Sequence, residues 1–244
     1  MTRPHPIGVI TGTGVTEQFD LIKPRTVRTR FARVHVFFQG GGDYVVLPRH
    51  GVAHKFPPHV INYRANIAAL ARLGVREVIA TGAVGSMNRG FRVGEIGVID
   101  QFLDFTKRKQ STFFEDKVAH TDMTYPYSRR LNLELSLAAK RIGVRLRQRL
   151  VYVCAEGPRF ETAAEIRMFR TLGGDVVGMT GVPEVVLANE MKLEYASVVT
   201  ATNWAAGMQS KVGHEEVLRA MEKAGKTIKE LIEAAVAGLV GENI

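Results

Sequence analysis

The stretch Tyr195–Gly207, YASVVTATNWAAG, decides the fold class of this chain. Residues 196–202 are largely apolar, partly β-branched and uncharged, which predicts a short strand buried on both faces. The strand leads to one amide, Asn203, and then to a turn of small residues. Open α/β sheets place ligand-binding groups just beyond the carboxyl ends of their strands, so the stretch predicts a binding group at Asn203. The alternative interpretation is an asparagine that only caps a turn.

Several other predicted strands end in turns that are rich in glycine, threonine and serine. Apolar runs predict strands at 7–11, 44–47, 77–80, 97–105, 150–155 and 175–178. Helical patterns alternate with them, at 62–73, 131–141, 162–172, from 183 onwards, and in a long final helix after 214. This alternation, without linker or repeat, predicts one α/β domain over residues 1–244, a three-layer sandwich with a mixed central sheet flanked by helices. The turns would expose N–H groups and hydroxyls at one rim, which suits a phosphate.

The composition points to an ordinary globular protein with a basic surface. Of the 244 residues, 45% are hydrophobic and 23% charged, and the net charge is +9. Neither a signal peptide nor an apolar run near the roughly 20 residues of a membrane span is visible, so a cytoplasmic, non-membrane protein is expected. The only cysteine, Cys154, excludes an intrachain disulfide. The basic residues are spread out and lack interleaved aromatic residues, which favours a small anionic substrate over nucleic acid.

Familiar catalytic motifs are absent. The run Gly12-Thr13-Gly14 would need a glycine at position 17 to form a dinucleotide-binding fingerprint, and Glu17 stands there. Three histidines, at positions 50, 54 and 59, lie in a proline-rich segment without nearby cysteine or acid, which is weak evidence for a metal, and none is expected. The polar, irregular residues 106–128 are predicted to form a lid or a subunit-contact loop.

Six ordered motifs resemble those of trimeric purine nucleoside phosphorylases, especially the 5'-methylthioadenosine phosphorylase branch. They are Ile7–Gly14, Pro48–Gly51, Thr81–Ser86, Glu156–Glu161, Gly178–Glu184 and Ala201–Gly207. The resemblance implies a single α/β domain without metal or organic cofactor, acting in purine salvage. It also implies phosphorolysis, in which inorganic phosphate is a co-substrate that displaces the purine from ribose. The implied assembly is a homotrimer or a dimer of trimers.

The resemblance also implies roles for individual residues. Those expected to bind phosphate are Thr13, Arg49, His50, Gly82, Ala83 and Thr180. Those expected to bind the nucleoside are Phe160, Glu161, Met179, Asn203 and Ala205, with His120 lent by a neighbouring subunit. We expect Asn203 and His50 to be catalytic: His50 adds a donor to phosphate, and Asn203 donates to the departing purine. Gly82 stands where the methylthioadenosine branch has threonine, which removes one hydroxyl.

Three positions depart from the methylthioadenosine pattern and resemble inosine- and guanosine-cleaving enzymes instead: Glu161, Asn203 and His214. A carboxylate can accept from N1–H of a 6-oxopurine, whereas adenine offers a bare acceptor there. The histidine could bond a ribose 5'-hydroxyl. The leading hypothesis is therefore a 6-oxopurine nucleoside phosphorylase, ahead of a methylthioinosine or methylthioadenosine phosphorylase and of a non-enzymatic nucleotide or nucleic-acid binder. The alternatives are a first-turn helix acid for Glu161 and a solvated helix residue for His214.

Overall fold

A computed structural model describes residues 5–241 as alternating strands and helices around one sheet. The strands are β1 (Ile7–Thr11), β2 (Arg25–Arg28), β3 (Arg33–Gln39), β4 (Tyr44–Pro48), β5 (Glu77–Ser86), β6 (Ile96–Asp104), β7 (Leu146–Cys154), β8 (Val176–Gly178) and β9 (Glu194–Trp204). The α-helices are α1 (Tyr63–Arg72), α2 (Arg129–Arg141), α3 (Ala163–Thr171), α4 (Gly181–Glu190) and α5 (His214–Val240). The predicted mixed α/β architecture is confirmed.

The sheet has nine strands in the order β2-β3-β4-β1-β5-β8-β7-β6-β9, and β9 also pairs with β5. Five strands therefore form a closed ring: β5, β8, β7, β6 and β9. Strand β5 belongs to both parts of the sheet, since it runs parallel to β1 and β9 and antiparallel to β8. The sheet is mixed for this reason, and only the β2 end remains an open edge among the described strands.

Two helical layers cover the faces of the sheet and bury separate apolar clusters. One cluster joins α1 and α4 to the sheet through residues such as Ile67, Leu70 and Leu187. The other joins α2 and α5 through residues such as Leu135 and Leu231. The long stripe predicted for the final helix supplies most of its buried residues. Burial of these apolar faces is the main driving force for folding, and it holds the strand ends in place.

Local signals explain where the helices begin. The side chain of Asn62 accepts from the N–H of Ala65 at the start of α1. Thr162 and Glu165 form the predicted capping box at the start of α3. None of the helices within residues 5–241 is long and apolar enough to cross a membrane.

One predicted turn is wrong. The residues 81–86 were expected to leave the sheet, because four of the six are glycine, alanine or serine. Instead they continue β5, with an irregularity between Val84 and Gly85. Pairing with β9 along the whole strand overrides the weak strand propensity of small residues. The strands β2 and β3, which precede the glycine turn at 40–42, were not predicted.

Candidate active site

Six strands bring their ends or final residues to one cavity of about 390 Å³. These strands are β1, β4, β5, β7, β8 and β9. Eleven of the predicted site residues line the cavity: Thr13, Arg49, His50, Gly82, Ala83, Phe160, Glu161, Met179, Thr180, Asn203 and His214. The rim predicted from strand endings therefore exists, although β8 runs antiparallel to β5 and reaches it from the opposite direction.

Arg49 is held in a buried, directed conformation. Its backbone N–H donates to the Thr11 carbonyl at 2.9 Å, which fixes the residue just beyond β4. Its Nε and Nη2 donate to the two carboxylate oxygens of Glu184, each at 2.7 Å, and Nη1 donates to the Thr81 carbonyl at 2.6 Å. Burial opposes the guanidinium charge, but Glu184 outweighs it, so the pKa of Arg49 is raised. The residue stays cationic although only 3% of it is exposed.

His50 differs from its expected role as a donor to phosphate. Its Nδ1 lies 2.8 Å from the carbonyl oxygen of Phe56. Because a carbonyl only accepts, Nδ1 carries the proton of the neutral ring and Nε2 is left as an acceptor. Burial lowers the pKa of His50 to about 4, against the opposing effect of the Phe56 carbonyl, and the Arg49 charge adds to the lowering. Neutral His50 can therefore accept a hydrogen bond from a protonated phosphate oxygen.

The turn after β8 offers a hydroxyl rather than backbone donors. The hydroxyl oxygen of Tyr152 accepts from the N–H groups of Thr180 and Gly181, at 3.1 and 3.2 Å. These two N–H groups at the start of α4 are thus engaged within the protein, contrary to the expectation that this turn presents them to an anion. The Thr180 side chain makes no capping bond to the helix and lines the cavity.

The Gly12-Thr13-Gly14 turn is shaped by close contacts. A Cβ at Gly12 would lie 3.0 Å from Nη1 of Arg49. At Gly14, where φ is +73°, a Cβ would lie 2.4 Å from Cβ of Met221 on α5. The first glycine leaves room for the guanidinium, and the second lets the turn pass under α5. The two glycines therefore shape the turn that brings Thr13 to the cavity.

The base end of the cavity contains the Glu161 carboxylate, and the arginine that acts on its charge, Arg159, is paired with another acid. Both Nη atoms of Arg159 bond Glu165, at 2.9 and 2.8 Å. Helix α3 begins after the N-cap Thr162, so the first-turn acid is Glu165, whose pKa falls to about 2, chiefly through its bonds with Arg159. Glu161 precedes the cap, and burial raises its pKa. The helix-dipole explanation therefore describes Glu165 and not Glu161.

Asn203 is oriented by its neighbours on β9. The Thr202 hydroxyl donates to Asn203 Oδ1 at 2.9 Å, and Asn203 Nδ2 donates to the Trp204 carbonyl at 2.9 Å. One N–H of the amide is left for a ligand. A Cβ at Gly85 would come within 3.3 Å of Nδ2, so the glycine keeps space beside the amide. The arrangement presents Asn203 as a donor, which a turn-capping role would not require.

Two exposed histidines, His54 and His214, lie at the mouth of the cavity. His54 stacks on His50 with ring centroids 4.2 Å apart, and both line the cavity with His214. Burial lowers the pKa of His54; the nearby Glu17 opposes this effect, and His214 adds to it. Ala53 and His54 both have left-handed backbone, at φ +61° and +54°. Strain of this kind persists where the surroundings impose it, often beside a site.

Two predicted residues lie outside the cavity. Ala205 was expected to contact the substrate, and this is wrong: it is buried in a cluster with Val153, Ile166 and Phe169. Its N–H donates to the Ser86 carbonyl at 2.9 Å, so the ladder continues past β9 and turns the residue towards α3. His120 is exposed and does not line the cavity of its own chain. Its role in a neighbouring subunit stays a prediction.

The first residues of the irregular segment 106–128 are hydrogen-bonded to the protein beside the site. The side chain of Arg108 is only 6% exposed and donates to the carbonyls of Val182 and Met179, with its guanidinium over the Tyr63 ring. Glu190 accepts from the hydroxyl of Thr112 at 2.7 Å. The start of this segment therefore stabilises the Met179–Val182 turn.

Four residues of the site were missed by sequence reasoning: His54, Arg108, Glu184 and Thr202. His54 was considered only as a metal ligand. Within residues 5–241, no group of three or more histidine, cysteine, aspartate or glutamate side chains is arranged to hold a metal ion. Glu184 could have been suspected, because a glutamate in the apolar run 182–188 must be paired if it is buried.

The cavity of anion-directed donors, with an aromatic ring and hydrogen-bonding side chains at its other end, is that of a nucleoside-processing enzyme. Residues 6–237 match the model of the phosphorylase superfamily, and the chain belongs to that family.

Several relatives are similar over almost the whole chain. A probable 6-oxopurine nucleoside phosphorylase of Moorella thermoacetica is 48% identical, with 96% of this chain and 93% of that protein covered. A probable S-methyl-5'-thioinosine phosphorylase of Methanothermobacter thermautotrophicus is 44% identical, with 97% and 85% covered. Among solved structures, a mutant adenosine/methylthioadenosine phosphorylase of Schistosoma mansoni with methylthioadenosine superposes with a TM-score of 0.91 at 32% identity, with 98% and 93% covered.

Proposed function

We propose that this enzyme is a purine nucleoside phosphorylase that cleaves the 6-oxopurine nucleosides inosine and guanosine. The products would be the free base and ribose 1-phosphate. The observation that carries the proposal is that Glu161 and Asn203 line one cavity beside Phe160. A relative named as a 6-oxopurine nucleoside phosphorylase and one named as a methylthioinosine phosphorylase are 48% and 44% identical to this chain. Overall identity therefore does not separate the two substrates, and the site residues must.

The hydrogen-bond inventory of the base favours this substrate class. Hypoxanthine and guanine carry an N1–H donor, which the Glu161 carboxylate can accept, and O6 and N7 acceptors, which the free N–H of Asn203 can reach. Adenine would set its N1 lone pair against the carboxylate. An unpaired buried polar group costs roughly 1–3 kcal/mol, so discrimination of about a hundredfold is expected.

The reaction would follow from position and charge without a general acid–base pair. A phosphate oxygen held by Arg49, Thr13, Thr180 and the strand segment Gly82–Ala83 attacks C1' of the ribose. The bond from C1' to N9 breaks, and its electron pair leaves with the purine. The Asn203 amide donates to the purine as its negative charge develops, and so stabilises the transition state more than the substrate. His50 accepts from a protonated phosphate oxygen and orients the nucleophile.

The residues at the ribose end of the cavity favour a substrate with a 5'-hydroxyl, and they also suggest a second candidate substrate. His214, the first residue of α5, can bond a 5'-hydroxyl, and Met179 would lie under the ribose. The same cavity also carries Pro57, Pro58 and Val217. These apolar groups favour, as the second candidate, cleavage of S-methyl-5'-thioinosine.

We further propose a homotrimer in which His120 serves a neighbouring site, a place in purine salvage in the cytoplasm, and catalysis without metal or organic cofactor. Titration of activity against a chelator, and the mass of the protein in solution, would test these points. A fully active monomer would contradict the role of His120.

The decisive experiment is phosphate-dependent base release from inosine, guanosine, adenosine, S-methyl-5'-thioinosine and S-methyl-5'-thioadenosine, measured side by side with and without phosphate. We expect fast release from inosine and guanosine and slow release from both adenine nucleosides. Strong cleavage of methylthioinosine would keep the base assignment and remove the role of His214. Preferential release of adenine would overturn the assignment of Glu161 and Asn203.

A further inference from the structure

Glu184 is a completely buried carboxylate that the proposed reaction does not use. It lies in the first turn of α4, four residues beyond Thr180, and its exposed fraction is 0%. Burying a carboxylate is costly unless its charge and lone pairs are satisfied. Even a well-made buried ion pair contributes little net stability compared with apolar residues of the same volume. A glutamate at this position therefore needs an explanation besides stability.

The contacts of Glu184 tie it to the Arg49 guanidinium and to the hydroxyl of Tyr195. Its Oε2 accepts from Nε of Arg49 at 2.7 Å, and its Oε1 accepts from Nη2 of Arg49 at 2.7 Å and from the Tyr195 hydroxyl at 2.6 Å. Burial raises the pKa of Tyr195 well above its ordinary value, so the tyrosine keeps the proton that it donates. The carboxylate is thus itself anchored to β9.

The same contacts fix the plane and direction of the guanidinium. A guanidinium has five N–H donors, and three are engaged: Nε and Nη2 by Glu184, and Nη1 by the Thr81 carbonyl at 2.6 Å. The two donors that remain, one on each Nη, belong to a fork that cannot turn without breaking a buried bond. Such a fork binds the oxygens of a tetrahedral anion only when it is aimed correctly.

We propose that Glu184, held by Tyr195, is a positioning residue that aims Arg49 at the phosphate nucleophile. The proposal rests on the proposed function, because it takes phosphate as the ligand of Arg49. Glu184 touches neither substrate, and it acts through Arg49 alone. Its effect is to settle the orientation of the donor before phosphate arrives, which lowers the cost of organising the transition state.

A competing explanation gives Glu184 only the part of a counter-charge. In that case its negative charge would weaken phosphate binding, and its removal would tighten it. Orientation and charge are separated by three variants. Glu184→Asp keeps the charge but is too short to hold both contacts, Glu184→Gln keeps the shape but removes the charge, and Tyr195→Phe removes one anchoring hydrogen bond without changing any charge.

The experiment is calorimetric titration of inorganic phosphate into the purified enzyme, followed by steady-state kinetics with phosphate and inosine varied separately. We expect the phosphate Kd and KM to rise at least tenfold in Glu184→Asp and two- to fivefold in Tyr195→Phe, while the KM of inosine changes less than twofold. The matched control is Glu77→Asp. Glu77 is also a buried glutamate that accepts from an arginine, Arg130 at 2.9 Å, but at the start of β5, away from the cavity.

Unchanged phosphate affinity in Glu184→Asp and Tyr195→Phe would overturn the positioning role, and so would tighter binding in Glu184→Gln. Equal losses in Glu184→Asp and Glu77→Asp would mean that the effect is general destabilisation, and would overturn it as well. Should Glu184→Asp not fold, Tyr195→Phe decides the matter by the same criterion. Wild-type protein that binds no phosphate would overturn the proposed function itself, whereas a phosphate-binding wild type with unaffected variants overturns only the role of Glu184.

Discussion

The two ends of the cavity are built in opposite ways. At the end with Arg49, His50 and Glu184, the side chains are almost completely buried and stand on strand ends or in the first turn of a helix. At the other end, Asn203 is also buried on β9, but Glu161 lies half-buried in a connection and His214 is exposed at the start of α5. The group common to the proposed reactions, phosphate, would meet the rigid end, and the groups that differ between substrates would meet the adjustable end. Substitutions should therefore separate into those that change the rate for every nucleoside and those that change preference.

The largest effect is expected from Arg49→Lys. An ammonium cannot replace the fork that spans Glu184 and phosphate, so kcat/KM should fall by roughly 100- to 1,000-fold, as for the loss of a main oxyanion donor. The fall should be the same for every nucleoside that the enzyme accepts. Steady-state kinetics with inosine and guanosine would measure it, and Arg130→Lys, at the far end of β5 and β9, is the control. A change in the ratio of kcat/KM for inosine to that for guanosine would contradict the assignment of Arg49 to the end of the cavity that serves every nucleoside.

The next effect concerns preference. In Asn203→Asp the donor to the base becomes a carboxylate, so kcat/KM should fall for inosine and rise for adenosine. The ratio of the two values should shift by about a hundredfold. Competition assays with both nucleosides in one vessel would give the ratio directly. The KM of phosphate should stay within a factor of two, since Arg49 and Thr180 are untouched. An unchanged ratio would remove Asn203 from base recognition.

A smaller effect is expected from pH. Burial raises the pKa of Glu161, so the carboxylate gains a proton at a higher pH than an ordinary glutamate. Because recognition of N1–H needs the ionised form, kcat/KM for inosine should fall as the pH drops through this raised pKa and be retained above it. In Glu161→Gln the acid limb should flatten, with activity about tenfold lower at neutral pH. The matched control is Glu165→Gln, which removes the charge that pairs with Arg159 in the first turn of α3; loss of the acid limb there would point to the helix instead.

The smallest effect is expected at the mouth. In His214→Ala an exposed hydrogen bond to the 5'-hydroxyl is lost, so kcat/KM for inosine should fall only about fivefold. The value for S-methyl-5'-thioinosine should stay nearly unchanged, since its 5' group offers no hydroxyl. His59→Ala, which removes another exposed histidine outside the cavity, is the control. An equal fall with both nucleosides would show that His214 does not sense the 5' group.

The same contrast explains what the sequence could predict. The strand ends and the positions that follow them, such as Arg49 and Thr180, were predicted from apolar runs and turn residues, which are local signals, whereas the roles of these residues were implied by the family resemblance. Ala205 was placed wrongly because its direction depends on a backbone hydrogen bond to the carbonyl of Ser86, 119 positions earlier in the chain. Glu184 was missed because its partners, Arg49 and Tyr195, come from other parts of the chain, and Thr202 because its hydroxyl lies 3.2 Å from the Val84 carbonyl of β5. The donor role of His50 was reversed by one contact with the Phe56 carbonyl, which no sequence pattern encodes.

Strand β5 pairs along its length with β9 and at its two ends with β1 and β8, and its later residues form part of the cavity wall. At residues 78–80 and 85–86 the strand has a partner on both sides, whereas residues 81–84 pair with β9 alone. Amide hydrogens in a doubly paired stretch exchange with solvent only through large-scale opening of the sheet. The two ends of β5 therefore cannot open independently of the rest of the sheet. We therefore expect the slowest-exchanging amides of β5 at residues 78–80 and 85–86, on either side of residues 82–84 of the cavity wall, and faster exchange between them.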